Sequence, residues 1–95
     1  MAKGYVIVTE LIKDPAGMAE YGKAAGKAMA AGVKVLAIDT KFEVLEGEWP
    51  ATQTVVLEFE SPEAARAWYE SEEYQAAIPL RQAAADCNAV IVNGL

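Results

Sequence analysis

Phe42-Glu43-Val44-Leu45-Glu46-Gly47-Glu48-Trp49, followed by Trp68-Tyr69-Glu70-Ser71-Glu72-Glu73-Tyr74-Gln75-Ala76-Ala77-Ile78-Pro79-Leu80-Arg81, holds the punctuation from which the rest of the chain is laid out. The first segment reads as a strand running into a Gly47 turn, with Trp49-Pro50 in the loop beyond it. The second reads as the joint between two short helices. One starts at Ser61-Pro62-Glu63 and ends near Glu70; Ser71-Glu72-Glu73 restarts another that runs to about Ala85. Pro79 lies inside it, lacks a backbone donor and crowds the preceding turn, so a kink or break is expected near residues 75–78.

Working outward, Gly4–Leu11 is a β-branched run that predicts a first strand. Asp14-Pro15 is a helix start, because Asp caps free N–H groups and Pro sits where none is needed. Met18, Tyr21, Ala25, Ala28 and Met29 then recur at helical spacing, and Lys23 and Lys27 mark the wet side. That helix is expected to run to about Ala31, with Gly32 as its stop. Val33–Ile38 predicts a second strand, and Phe42–Glu46 either continues it or pairs beside it, with Asp39-Thr40 as bulge or turn. Thr54–Glu60 and Ala89–Asn93 complete the strands. The order is β-α-β-β-α-β with the second helix split, an α+β ferredoxin-like pattern with helices on one face of an antiparallel sheet. The 95 residues form a single domain, 1–95.

The strands alternate weakly. Tyr5, Ile7, Thr9 and Leu11 lie on one face of the first, yet Val6 and Val8 lie on the other; Val55, Leu57 and Phe59 oppose Thr54, Val56 and Glu58 in the third. Helices cover one face only, so the other keeps apolar surface that a partner sheet is expected to cover, most simply in a two-fold homodimer.

Taken as a set, Lys3-Gly4-Tyr5, Phe42 to Trp49, Val55 to Phe59, Trp68-Tyr69 and Ser71 to Gln82 resemble a family of small bacterial domains of unknown function in the dimeric α+β-barrel superfamily. The resemblance covers nearly the whole chain and implies two ferredoxin-like subunits with sheets face to face. It also implies kinship with cofactor-independent monooxygenases and isomerases whose pockets lie between helices and sheet. The chain departs from the family at Ile38-Asp39-Thr40, where members commonly carry an Arg-Gly-Gly-like turn; no anion-binding role passes to this corner, which Asp39 makes negative.

Composition narrows the chemistry further. The net charge is −6, and the eight basic residues are scattered. A nucleic-acid surface needs clustered cations, so neither nucleic acid nor an acidic membrane is an expected partner. The chain has no histidine and one cysteine, Cys87. Imidazole-based triads are therefore excluded, and no metal or cofactor is expected. With no basic residue near it in sequence, Cys87 is expected to be an idle thiol. No apolar run approaches a membrane span and no signal peptide opens the chain, so a cytoplasmic protein is expected.

Arg81 lies two helical turns after Tyr74, with Ile78 between them on the same face. It either anchors a ligand carboxylate or pairs with Glu46, Glu58 or Glu10, and the ion pair is the favoured reading. Glu46, at a strand end, is a weak candidate for a general base. Tyr5, Trp49, Trp68, Tyr74 and Arg81 are the ligand-binding candidates, although aromatics at such spacing more often fill a core. Three functions follow: binding of a small anionic organic molecule between helices and sheet, a cofactor-independent monooxygenase or isomerase, or a non-catalytic dimerisation module.

Overall fold

The protein's structure is a computed structural model that describes residues 2–29 and 32–95. Its elements are β1 (Gly4–Ile12), α1 (Pro15–Lys27), β2 (Lys34–Asp39), β3 (Gln53–Phe59), α2 (Pro62–Tyr69), α3 (Glu72–Ala84) and β4 (Ala85–Asn93). The strands form one antiparallel sheet in the order β2-β3-β1-β4, the ferredoxin-like arrangement expected.

The serine starts behave as their chemistry dictates, whereas the cap expected of Asp14 is corrected: its side chain takes no capping hydrogen bond from α1. The Ser61 hydroxyl accepts from the Ala64 N–H, and the Ser71 hydroxyl accepts from the Tyr74 N–H. Pro15 and Pro62 occupy the first turns of α1 and α2. Gly4 is required by close packing rather than by its torsions. A Cβ there would stand 2.5 Å from the Ser61 carbonyl oxygen and 2.6 Å from Pro62 Cα, both backbone atoms.

Three further expectations are corrected. Phe42–Glu46 is not a strand: β2 ends in a turn where Asp39 Oδ1 accepts from the Lys41 N–H at 2.9 Å. Asp39-Thr40 is thus the turn that was one of the two forms expected there, and a separate register shift interrupts β2 between Val35 and Ala37. No break occurs at Pro79; α3 is continuous, because Tyr74, Ala77 and Ile78 before it and Arg81 and Ala84 after it are all buried, anchoring both halves. The last strand starts at Ala85, four residues before the expected Ala89, since Ala85, Cys87 and Ala89 pair with Ile12, Glu10 and Val8. The helical hydrogen bonds of α1 end at Lys27 with Ala28 as cap, and Ala30 and Ala31, to which the helix was expected to run, lie outside the described residues.

The sheet has two unlike faces. Val6, Val8, Glu10 and Ile12 of β1 point toward the helices, beside Leu57, Val55 and Gln53 of β3. The core clusters there around Val6, Val8, Leu57, Phe59, Ala65, Trp68, Tyr74, Ala77 and Ile78. The opposite face carries no helix. Val90, Ile7, Val56 and Ala37 line up across all four strands in register, with Tyr5 and Val92 one step along. Val90 and Val92 are exposed, at 53% and 40%.

Candidate functional site

α1 rests on α3 and touches the strands little, and none of its residues is fully buried. The space it leaves above β1, β2 and β3 is a cavity of about 420 Å³. Most of its wall is apolar, from Val8, Ile12, Met18, Val35, Val55 and Leu57. Its polar groups are Glu10, Gln53, Tyr21 and Tyr74. An apolar pocket with a few placed polar groups is the common form of a small-molecule site.

Strand parity puts Glu10 there. It follows Val6 and Val8 on the helix-facing side and is 2% exposed. Gln53, its partner across β1–β3, donates from Nε2 to Glu10 Oε1 at 2.7 Å. The carboxylate is thereby held in one orientation. Tyr21 on α1 and Tyr74 on α3 meet hydroxyl to hydroxyl at 2.8 Å, with rings edge-on and centroids 6.4 Å apart. Burial pushes the Tyr21 phenol well above its ordinary range, and the bond to Tyr74 adds to this. Tyr21 is thus a neutral hydroxyl at every physiological pH. One member of the pair donates to the other, and the accepting member keeps its own O–H to offer a ligand.

Trp68 stacks on Tyr74 with centroids 4.0 Å apart, and its indole N–H donates to the Ala28 carbonyl at 3.1 Å. It is both core and cavity wall.

Arg81 is 4% exposed, and its Nε has no hydrogen-bond partner. No ion pair among the described residues includes it. The favoured sequence reading is therefore corrected. Glu58 and Glu46 belong to the other side of the sheet, and Glu10 gives its Oε1 to Gln53 rather than pairing with Arg81. Arg81 does not line the cavity. Its guanidinium lies by the Cys87 thiol and close enough to Tyr21 and Tyr74 to act on them electrostatically. Burial opposes its charge and Tyr74 and Cys87 beside it favour that charge, and as a guanidinium it stays protonated. The premise that no base lies near Cys87 is likewise corrected. Even so, burial raises the thiol more than Arg81 lowers it, so Cys87 stays protonated.

Trp68, Tyr74 and Arg81 thus gather on the helix side. Tyr5, Glu46 and Trp49 do not join them. Tyr5 points to the helix-free face, and Glu46 and Trp49 lie in the loop after β2, which folds onto that same face. Phe42 packs edge-on against Trp49, whose indole N–H donates to Thr54 Oγ1 at 2.9 Å. Glu10, Tyr21 and Gln53 are the cavity's polar groups that sequence reasoning missed as site residues. The available signal was Glu10 itself, a charge in the inward parity of an otherwise apolar strand.

No group of three or more metal-ligating side chains gathers among the described residues, and no described helix is long and apolar enough to cross a membrane.

Residues 3–95 match the family described as Domain of unknown function (DUF1330). The chain belongs to that family. DUF1330 fixes kinship without an activity, and solved structures add the fold. A protein of unknown function from Rhodopseudomonas palustris is 19% identical, with a TM-score of 0.74 over 99% of this chain and 83% of its own. A dimeric ferredoxin-like protein of unknown function from Thermobifida fusca is 19% identical, with a TM-score of 0.67 over 99% and 92%. A protein described as an antibiotic biosynthesis monooxygenase is 16% identical, with a TM-score of 0.52 over 100% and 99%. Among curated proteins, none matches this DUF1330 chain.

Proposed function

We propose that this DUF1330 protein is a cytoplasmic homodimer that binds a small amphipathic organic anion between α1 and the sheet. The observation that carries the binding reading is Arg81, buried and without an ion pair among the described residues, beside a largely apolar cavity. A buried cation without a counter-charge is costly, and an anionic ligand offsets that cost. The ligand's apolar body packs against Val8, Val35, Val55 and Met18, and its anionic group takes hydrogen bonds from the tyrosine pair, within the field of Arg81. The test is saturation-transfer NMR with 3-phenylpropanoate, a ring carrying one carboxylate. Binding to the native protein that weakens in Tyr74→Phe supports the site; no binding at millimolar concentration rejects it.

The dimer reading rests on the stripe Val90–Ile7–Val56–Ala37, which crosses the helix-free face of the sheet. Such a contiguous apolar face on a small domain calls for a cover. Its similarity to a Thermobifida fusca protein described as dimeric supports a second copy as that cover. Native mass spectrometry of the full chain is the test, and a monomer at micromolar concentration refutes it.

A further inference from the structure

The cavity contains more than an anion needs. A buried carboxylate in its wall repels a ligand anion unless it meets something else on the same molecule. Glu10 has that position, and Gln53 fixes its direction through Oε1. Both tyrosines of the hydroxyl pair line the same cavity, and Arg81 lies near them outside its wall. A positioned carboxylate and hydroxyl donors lining one largely apolar cavity are the groups that remove a proton from carbon and stabilise the charge left on oxygen.

We propose, building on the pocket reading above, that Glu10 is the general base of an enolisation site whose substrates are small keto acids with an acidic C–H next to the carbonyl. Glu10 takes the proton from the carbon. The C–H electron pair becomes the new C=C bond, and the carbonyl π pair moves onto oxygen. The Tyr21–Tyr74 pair donates a hydrogen bond to that oxygen without surrendering its proton, as suits a phenol whose ionisation burial opposes. Arg81 offsets the enolate charge from behind the pair. Glu10 then returns its proton to carbon, to the same position or to the far end of a conjugated system. No oxidant, reductant or metal enters the balance. Glu10 and the tyrosines touch the substrate; Gln53 and Arg81 are positioning residues.

The test uses phenylpyruvate, which has a carboxylate, an apolar ring and an acidic methylene. The full-length protein is placed in D2O with phenylpyruvate, and loss of the methylene proton signal is followed by NMR. Acceleration over the protein-free rate is expected. Glu10→Gln, which keeps the shape and a partner for Gln53, should lower the protein-dependent rate about 100-fold or more while still binding 3-phenylpropanoate. Tyr21→Phe should slow exchange with less effect on binding, which checks the proposal should Glu10→Gln fold poorly. Exchange no faster than in the protein-free sample, or undiminished in Glu10→Gln, overturns the inference. If 3-phenylpropanoate binds in that case, the pocket stands and only the chemistry falls. If neither compound binds, both readings fall.

Discussion

Replacing Arg81 with Met separates a ligand-facing charge from a structural ion pair. A buried pair broken on one side costs about 3–5 kcal/mol, because the other charge is left stranded. Arg81 has no such pair, its Nε is unbonded, and the residue is 4% exposed. Leaving a buried donor unsatisfied costs about 1–3 kcal/mol, which the substitution recovers. Exchange of a buried charge for an apolar chain of similar volume is often neutral or stabilising by about 1–4 kcal/mol. The net expectation is a gain of about 1–2 kcal/mol. For a domain of this size that raises Tm by roughly 5–15 °C. Differential scanning calorimetry at matched protomer concentration reads it, since dimerisation makes Tm depend on concentration. The same variant should bind 3-phenylpropanoate about tenfold more weakly, the equivalent of losing about 1.4 kcal/mol. A stabler protein that has lost affinity is the signature of a charge kept for a ligand. A Tm lowered by more than a few degrees would refute the reasoning and return Arg81 to a structural role.

Gly4→Ala should cost at least about 2 kcal/mol, because its Cβ would meet the Ser61 and Pro62 backbone at 2.5–2.6 Å with no side chain to yield. Gly22→Ala on α1, where a Cβ meets nothing within 4 Å, should instead stabilise by about 0.5–1 kcal/mol, and urea titration of both checks the pair. Val90→Lys, on an exposed position of the helix-free face, should shift the protein to monomer in size-exclusion chromatography while leaving the circular dichroism of the folded chain intact. Tyr21 makes stability fall at high pH: its folded-state ionisation lies above the ordinary value near 10, so the unfolded chain gives up that proton first. That stabilisation is fully present below pH ~10 and is lost as pH rises further. Absorbance titration near 295 nm should leave one phenol un-ionised until the protein unfolds; complete titration of all tyrosines in the native state near pH 10 contradicts it.

The element order and the split second helix were legible because they are written in local chemistry, in Asp14-Pro15, Ser61-Pro62 and Ser71. The errors came where tertiary packing overrides local preference. Pro79 is tolerated because buried neighbours on both sides hold α3 to the core. Phe42–Glu46 has strand-like residues but takes no place in the sheet, and the segment folds over the open face through Trp49 and Thr54. The site was half legible. Trp68, Tyr74 and Arg81 share a helix–turn–helix segment, so their spacing declared their neighbourhood. Tyr21 is 53 residues from Tyr74 and Gln53 is 43 from Glu10, and no sequence period links residues at such separations. Arg81 was assigned a carboxylate partner on general grounds of charge pairing, and only the register could show that Glu58 faces away and that Gln53 reaches Glu10 first.

The central strand β1 carries both halves of the proposed function, and one structural fact, its register, divides them. Tyr5, Ile7 and Thr9 face the surface assigned to a second copy; Val8, Glu10 and Ile12 face the cavity. A slip of one residue against β3 would exchange the faces, moving Glu10 out of the cavity and Ile7 into it. Three contacts oppose that slip. Gly4 is wedged against the Ser61 and Pro62 backbone at one end, Asn88 Nδ2 donates to Thr9 Oγ1 at 3.2 Å from β4, and Gln53 donates to Glu10 from β3. Two of these bonds are made by β1 polar side chains that belong to opposite faces. The Gln53–Glu10 bond therefore holds the carboxylate at the cavity and also helps keep the apolar stripe on the outside, so Gln53→Leu should weaken ligand binding and loosen assembly together. Loss of binding with an unchanged dimer dissociation constant, measured by sedimentation equilibrium, would show that Gly4 and Asn88 hold the register without it.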